Sequence, residues 1–156
     1  MASIFQPNGD YLLADQLFVG EESRAHNASV QVLRFTSTGA ADSTFAKPSF
    51  RFAGTGGSGI EAQPNGIALQ SNGDIVVVGL QTTTTQSGTV LVNGLARLTS
   101  SGALDSTFGS GGTVTNTVPA NTQGLNGVAI DSQGRIITIG VANNFTELTV
   151  SRYLGQ

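Results

Sequence analysis

The chain predicts an all-β fold of repeated four-stranded antiparallel units, on three observations: a turn-rich composition, a ten-residue phrase written twice, and three hairpin signatures at nearly constant spacing. The 156 residues include 21 glycines and are 38% hydrophobic but only 11% charged, so neutral Thr and Ser side chains carry solubility. Many short strands joined by tight turns have this composition. Val, Ile, Leu and Phe recur at regular positions, which separates the chain from low-complexity disorder. Helical apolar spacing never runs far without a Gly, Thr or turn signal inside it. The length suits one repeat domain spanning residues 1–156.

The elements follow in order. The segments FQPNGDYLLAD at 5–15, LQSNGDIVVVG at 69–79 and IDSQGRIITIG at 130–140 each place a turn between two apolar arms, and Gly9, Gly73 and Gly134 step by 64 and then 61 residues. Asn8-Gly9 and Asn72-Gly73 predict two-residue turns with positive φ at both positions, and Gln133-Gly134 is a weaker version. A third strand is read at VQVLRF 30–35, VNGLARL 92–98 and LTVSRYL 148–154, with Arg34, Arg97 and Arg152 in register. TSTGAADSTF at 36–45 and TSSGALDSTFGSGG at 99–112 come next, with eight of the first ten positions identical. Their STG and SSG make another tight turn, into a fourth strand at PSFRFAG 48–54 and GGTVTNTV 111–118. Grouping each fourth strand with the unit after it divides the chain at approximately 1–47, 48–109 and 110–156. The third copy, within this sequence, carries no matching Asp and no fourth strand.

Four antiparallel strands in about 60 residues are the sequence form of a propeller blade. GIALQSNGDIVVVG together with GLARLTSSGALDSTFGSGG resembles the delta-60 repeat family of bacterial β-propellers, and the resemblance covers nearly the whole chain. It implies a propeller fold and an extracellular or cell-surface setting, and it brings no catalytic residues to carry over. Departures are Gln133 and Arg135 in the third hairpin, and Ala41 and Ala46 where the second copy has Leu104 and Gly109. Propellers close with about four to eight blades, so three blades predict completion by oligomerisation, most simply a homodimer forming a six-bladed ring.

Charge and composition exclude several functions. Net charge is −3 and the seven Lys and Arg residues are scattered, so no nucleic-acid partner is expected. With no cysteine there is no disulfide, thiolate ligand or thiol nucleophile. The longest apolar stretch, IVVVGL at 75–80, is far short of the roughly 20 residues that span a bilayer, and MASIF does not read as a signal peptide. GTGGSG at 54–59 lacks the Lys and strand-to-helix setting of a phosphate loop. His26 is the sole histidine and no D-x-D-x-D-G loop occurs, so neither metal nor cofactor is expected. NAS at 27–29 and NFT at 144–146 match the short glycosylation pattern.

The repeated residues then take roles. Arg34 and Arg97 are read as paired with Asp42 and Asp105, eight positions on, one structural ion pair per blade, with Arg152 the third member. The competing reading is a ring of ligand-binding arginines. Phe45 and Phe108 read as core plugs. Segments around 20–29, 80–90 and 141–147 vary between copies and, with the connections at 54–66 and 118–127, are placed on one side of the disc. Glu21, Glu22, Arg24, His26, Asn143, Asn144 and Glu147 are therefore the candidates for holding a carbohydrate or protein ligand. The first strands, read as lining the axis, contain SIFQ, IALQ and VAID with Asp131 the lone acid, so a non-catalytic module is expected. The alternatives are a propeller hydrolase or lyase with a central-channel site, and a fragment excised or engineered from a longer array.

Overall fold

The computed structural model describes residues 1–18, 27–53, 58–118, 124–142 and 146–154. Among the described residues every regular element is a β-strand, and none is a helix long and apolar enough to cross a membrane. The first blade is β1 (Ala2–Phe5), β2 (Tyr11–Phe18), β3 (Ala28–Phe35) and β4 (Ser49–Phe50). The second is β5 (Ser58–Leu69), β6 (Ile75–Thr85), β7 (Gly88–Leu98) and β8 (Thr113–Val118), and the third is β9 (Gly124–Ile130), β10 (Ile136–Ala142) and β11 (Glu147–Tyr153). Within each blade, sequence neighbours pair antiparallel. A single parallel residue pair, Ala28 with Glu61, bridges β3 to β5 and ties the first two sheets together.

This pairing moves the blade boundaries. Dividing the chain at 47/48 and 109/110 assigns each fourth strand forward, whereas β4 hydrogen-bonds back to β3, Phe50 opposite Val30, and β8 to β7, Val114 opposite Leu95. The connection folds back on its own strand: after the turn, Ala41 bridges to Phe35 and Leu104 to Leu98, so the chain returns alongside the strand it has just left. Among the described residues the units are therefore four, four and three strands, each starting at its first hairpin.

The turns also differ from the two-residue form expected. In all three first hairpins only the glycine has positive φ: 86° at Gly9, 88° at Gly73 and 77° at Gly134. Gly9 N–H donates to the Gln6 carbonyl at 2.9 Å and Gln6 N–H to the Asp10 carbonyl at 2.7 Å, and the pattern recurs at Gln70–Asp74 and Asp131–Arg135. This is a three-residue loop in which a turn in ordinary φ space is closed by one left-handed glycine. Pro7 fits the second turn position because its φ is already set near the required value. The 36–40 and 99–103 turns use the same closure, with Gly39 and Gly102 donating to Thr36 and Thr99 at 2.8 Å.

Two segments expected to be loops are strand. β6 continues through Thr82–Thr85 and pairs with β7 as far as Thr85 opposite Gly88, and β5 begins at Ser58. Four successive β-branched threonines suit an extended, pleated backbone, so hairpin pairing outcompetes the loop. β5 absorbs its extra length as register shifts between Ser58 and Glu61 and between Pro64 and Gly66.

The core lies between blades rather than within one. Leu12, Ala14, Val30 and Val32 of the first blade pack on Ile75, Val77, Ala96 and Leu98 of the second, all fully buried. On the opposite face of the second blade, Val76, Val78 and Leu95 pack against Leu125 and Ile136 of the third. Strand alternation explains this: in IVVV successive side chains point to opposite faces, and a blade buried on both sides must be apolar at every position. The phrase-ending Phe45 and Phe108 are 2% and 5% exposed and serve these two cores.

Candidate functional site

The twice-written DSTF phrase builds one device in two copies. Arg34 Nε donates to Asp42 Oδ2 at 2.7 Å, and Arg97 Nε donates to Asp105 Oδ2 at 2.7 Å. The other oxygen of Asp42 accepts Thr44 N–H at 2.8 Å and Thr44 Oγ1–H at 2.6 Å, and Thr107 does the same for Asp105 at 3.0 and 2.7 Å. Each guanidinium also lies over the phenylalanine that ends its phrase, Phe45 at 4.8 Å and Phe108 at 4.7 Å from Cζ to ring centroid. Asp, Thr and Phe thus bind, orient and cover one arginine, buried at 97 and partly buried at 34. Thr44, through its hydroxyl and N–H, then Arg34, hold the Asp42 carboxyl well below the usual range, at about 2, against the opposing effect of burial. Asp105 is lowered by Thr107 in the same way, with Arg97 contributing.

The clasp reaches the next blade. Arg34 Nη1 donates to the Ser100 carbonyl at 2.9 Å, and Ala46 N–H donates to the Ser101 carbonyl at 2.9 Å. Phe45 sits on Gly102, where a Cβ would meet the ring at 2.6 Å. The phrase is therefore an interblade joint as well as a turn. Between the second and third blades, Gln70 Nε2 donates to the Gly134 carbonyl at 3.1 Å and Asn65 Nδ2 to the Leu125 carbonyl at 2.9 Å.

Among the described residues, nothing covers the corresponding face of the third blade. By repeat alignment Ile139, Leu148, Val150 and Arg152 stand where the first blade has Ala14, Val30, Val32 and Arg34. Ala14, Val30 and Val32 are 0% exposed, while Ile139, Leu148 and Val150 are 52%, 84% and 70% exposed. Arg152, opposite Ile137, is exposed too. At the other end, Phe5, Tyr11, Leu13, Leu33 and Phe35 of the first blade align with Leu69, Ile75, Val77, Ala96 and Leu98, the surface on which the second blade receives the first. Phe5 is 72% exposed there, with Tyr11 5.0 Å from it and 6.5 Å from Phe35, centroid to centroid.

Residues 70–108 match the family model described as a domain of unknown function (DUF5122), beta-propeller. The match spans about a quarter of the chain, and over those residues the chain is similar to a repeat of that β-propeller family. They run from the second blade's first turn through its clasp to Phe108, so the match covers the hairpin and the device just described. No curated protein matches the chain.

The remaining predicted residues fall as follows. Glu21, Glu22, Arg24 and His26, with Asn143 and Asn144, lie outside the described residues, and Glu147 is exposed at the start of β11. The lone acid of the first strands, Asp131, is held in the third turn: it receives Gln133 and Arg135 N–H at 2.9 Å and pairs with Arg135 Nε. Burial alone would raise its pKa, but the Arg135 N–H and guanidinium and the Gln133 N–H outweigh it and the pKa is lowered. Two contributors went unread in the sequence. Phe52, 1% exposed, crosses from β4 into the core against Gly94, and Gln81, fully buried, accepts Ala53 N–H at 3.1 Å. Glycine at 79 and 94, facing one another across β6 and β7, was the available sign that a bulky side chain enters there.

Proposed function

We propose that this chain is a non-catalytic β-propeller module that completes its ring by association, most simply two chains forming a six-bladed ring, and serves as a binding or structural scaffold in a bacterial surface or secreted setting. The observation that carries the reading is the pair of uncovered terminal faces, each the repeat equivalent of a face buried inside the chain. The third blade offers the surface that, in the first blade, covers its neighbour; the first blade offers the surface that, in the second, is covered. One head-to-tail joint used twice about a two-fold axis closes a ring. Six blades fall within the range in which propellers close. Covering an exposed aliphatic side chain such as Leu148 contributes about 1.5–3 kcal/mol, so several at each joint offset the cost of association. In such a joint Arg152 meets the Ser37 carbonyl of the second chain, as Arg34 meets that of Ser100.

Nothing in the clasp offers chemistry: its carboxylates are occupied by arginine and threonine donors, which supports a scaffold over a hydrolase or lyase. The test is sedimentation of Val150→Asp and Tyr11→Asp. A head-to-tail joint uses both faces, so each substitution alone abolishes association. Loss in only one variant would indicate a joint between like faces, and retention in both would overturn the reading.

A further inference from the structure

Strand β11 pairs with β10 along one edge, and among the described residues no strand lies along the other. The two internal copies show what covers the equivalent edge. In the second blade Arg97 N–H donates to the Gly112 carbonyl and the Arg97 carbonyl accepts Asp105 N–H, both at 2.9 Å. β8 then continues the pairing, from Thr113 opposite Ala96 to Val118 opposite Leu91. In the first blade the Arg34 carbonyl accepts Asp42 N–H at 2.9 Å, and Val32 N–H donates to the Pro48 carbonyl at 3.2 Å. Arg152 lies opposite Ile137 as Arg97 lies opposite Val76, so by the same register Leu148, Val150 and Arg152 turn their backbone N–H and C=O groups to the open edge. The Arg152 side chain is exposed and, among the described residues, meets no carboxylate, whereas Arg34 and Arg97 each hold an aspartate at 2.7 Å.

A row of unpaired backbone groups is a template for a further strand, and an exposed guanidinium at its end selects one that brings a carboxylate there. We propose that the free edge of β11 binds an extended segment of another polypeptide with the chemistry of residues 103–118. Such a segment carries an aspartate for Arg152, the S-T-F run that orients and covers the pair, and a Thr/Val strand for the β11 backbone. A second copy of this chain has its own two such segments engaged on β3 and β7, so the donor is a further chain bearing the phrase. Edge groups lie in the plane of the sheet while the terminal faces are made by side chains perpendicular to it, so the inference does not rest on ring closure.

The experiment is a nitrogen-15 NMR titration of the full chain with a synthetic peptide of residues 103–118, ALDSTFGSGGTVTNTV. Saturable shifts are expected at the Leu148, Val150 and Arg152 amides, with a dissociation constant of about 0.1 mM. The Asp105→Asn peptide is expected to bind about tenfold more weakly, the usual worth of a charge-assisted pair. Against an Arg152→Gln chain the two peptides should bind alike, and a scrambled peptide should not shift β11. Tyr11→Asp leaves the β11 edge untouched and should respond as wild type does. A chain that stays monomeric while β11 shifts would therefore refute the ring and support the strand site. The proposal is overturned by an unshifted β11, by shifts confined to Phe5, Tyr11 and Phe35, or by an Asp105→Asn peptide that binds as the parent does. Leu148 and Val150 amides already protected from exchange before peptide is added would also overturn it, since a second copy's β11 would then hold the edge.

Discussion

Gly39 and Gly102 close equivalent turns with nearly the same backbone, φ of 84° and 91°, yet a Cβ at Gly39 meets nothing within 4 Å while one at Gly102 meets three Phe45 ring atoms at 2.6–2.8 Å. Gly39→Ala should therefore cost only the strain of an L side chain in left-handed space, about 1–2 kcal/mol. Gly102→Ala adds overpacking of about 1–3 kcal/mol. The ring cannot swing aside cheaply, because it is 2% exposed and lies beneath the Arg34 guanidinium. Phe45→Ala should itself cost about 3–5 kcal/mol, and in that background Gly102→Ala should fall to the cost of Gly39→Ala. Urea denaturation of the variants at one fixed protein concentration measures all terms, the fixed concentration removing mass-action effects. Equal costs for the two glycines, or an excess at Gly102 that survives Phe45→Ala, would refute the claim that the phrase is an interblade joint.

Acid should dissolve the clasps. Asp42 has a folded pKa depressed to about 2, so its contribution is complete above the unfolded value near 4 and is lost as pH falls through the folded one. The midpoint gap between wild type and Asp42→Asn in urea should close between about pH 4 and pH 2; a gap constant with pH would count against the ion pair. Thr138 is fully buried with an unpartnered Oγ1, so Thr138→Val should stabilise by about 1 kcal/mol, and a loss of that size would show that the hydroxyl has a partner.

How far the fold could be read from the sequence depended on which residues were repeated. The internal copies of Arg, Asp and Phe located the clasp and the strands around it, because a buried arginine eight residues from an aspartate admits few arrangements. Thr44 and Thr107 recur in the same phrase, but recurrence alone does not say that each hydroxyl bonds the carboxylate two residues before it. The turn type was misjudged because Asn-Gly suits both two- and three-residue loops, and the residue before it decides between them. Blade membership of the fourth strand depended on hydrogen-bond direction, which periodicity does not encode. The aromatic face of the first blade was legible in principle, since Phe5, Tyr11 and Phe35 replace the aliphatic Leu69, Ile75 and Leu98 of the second.

The most direct test of the central claim is the solution mass of the unmodified chain by light scattering over a concentration series. Two three-bladed chains closed head to tail predict a constant mass of about twice the 15.9 kDa of one chain. A well-folded monomer at every concentration would contradict it, and would mean that the exposed Leu148, Val150 and Phe5 faces need no second chain to cover them.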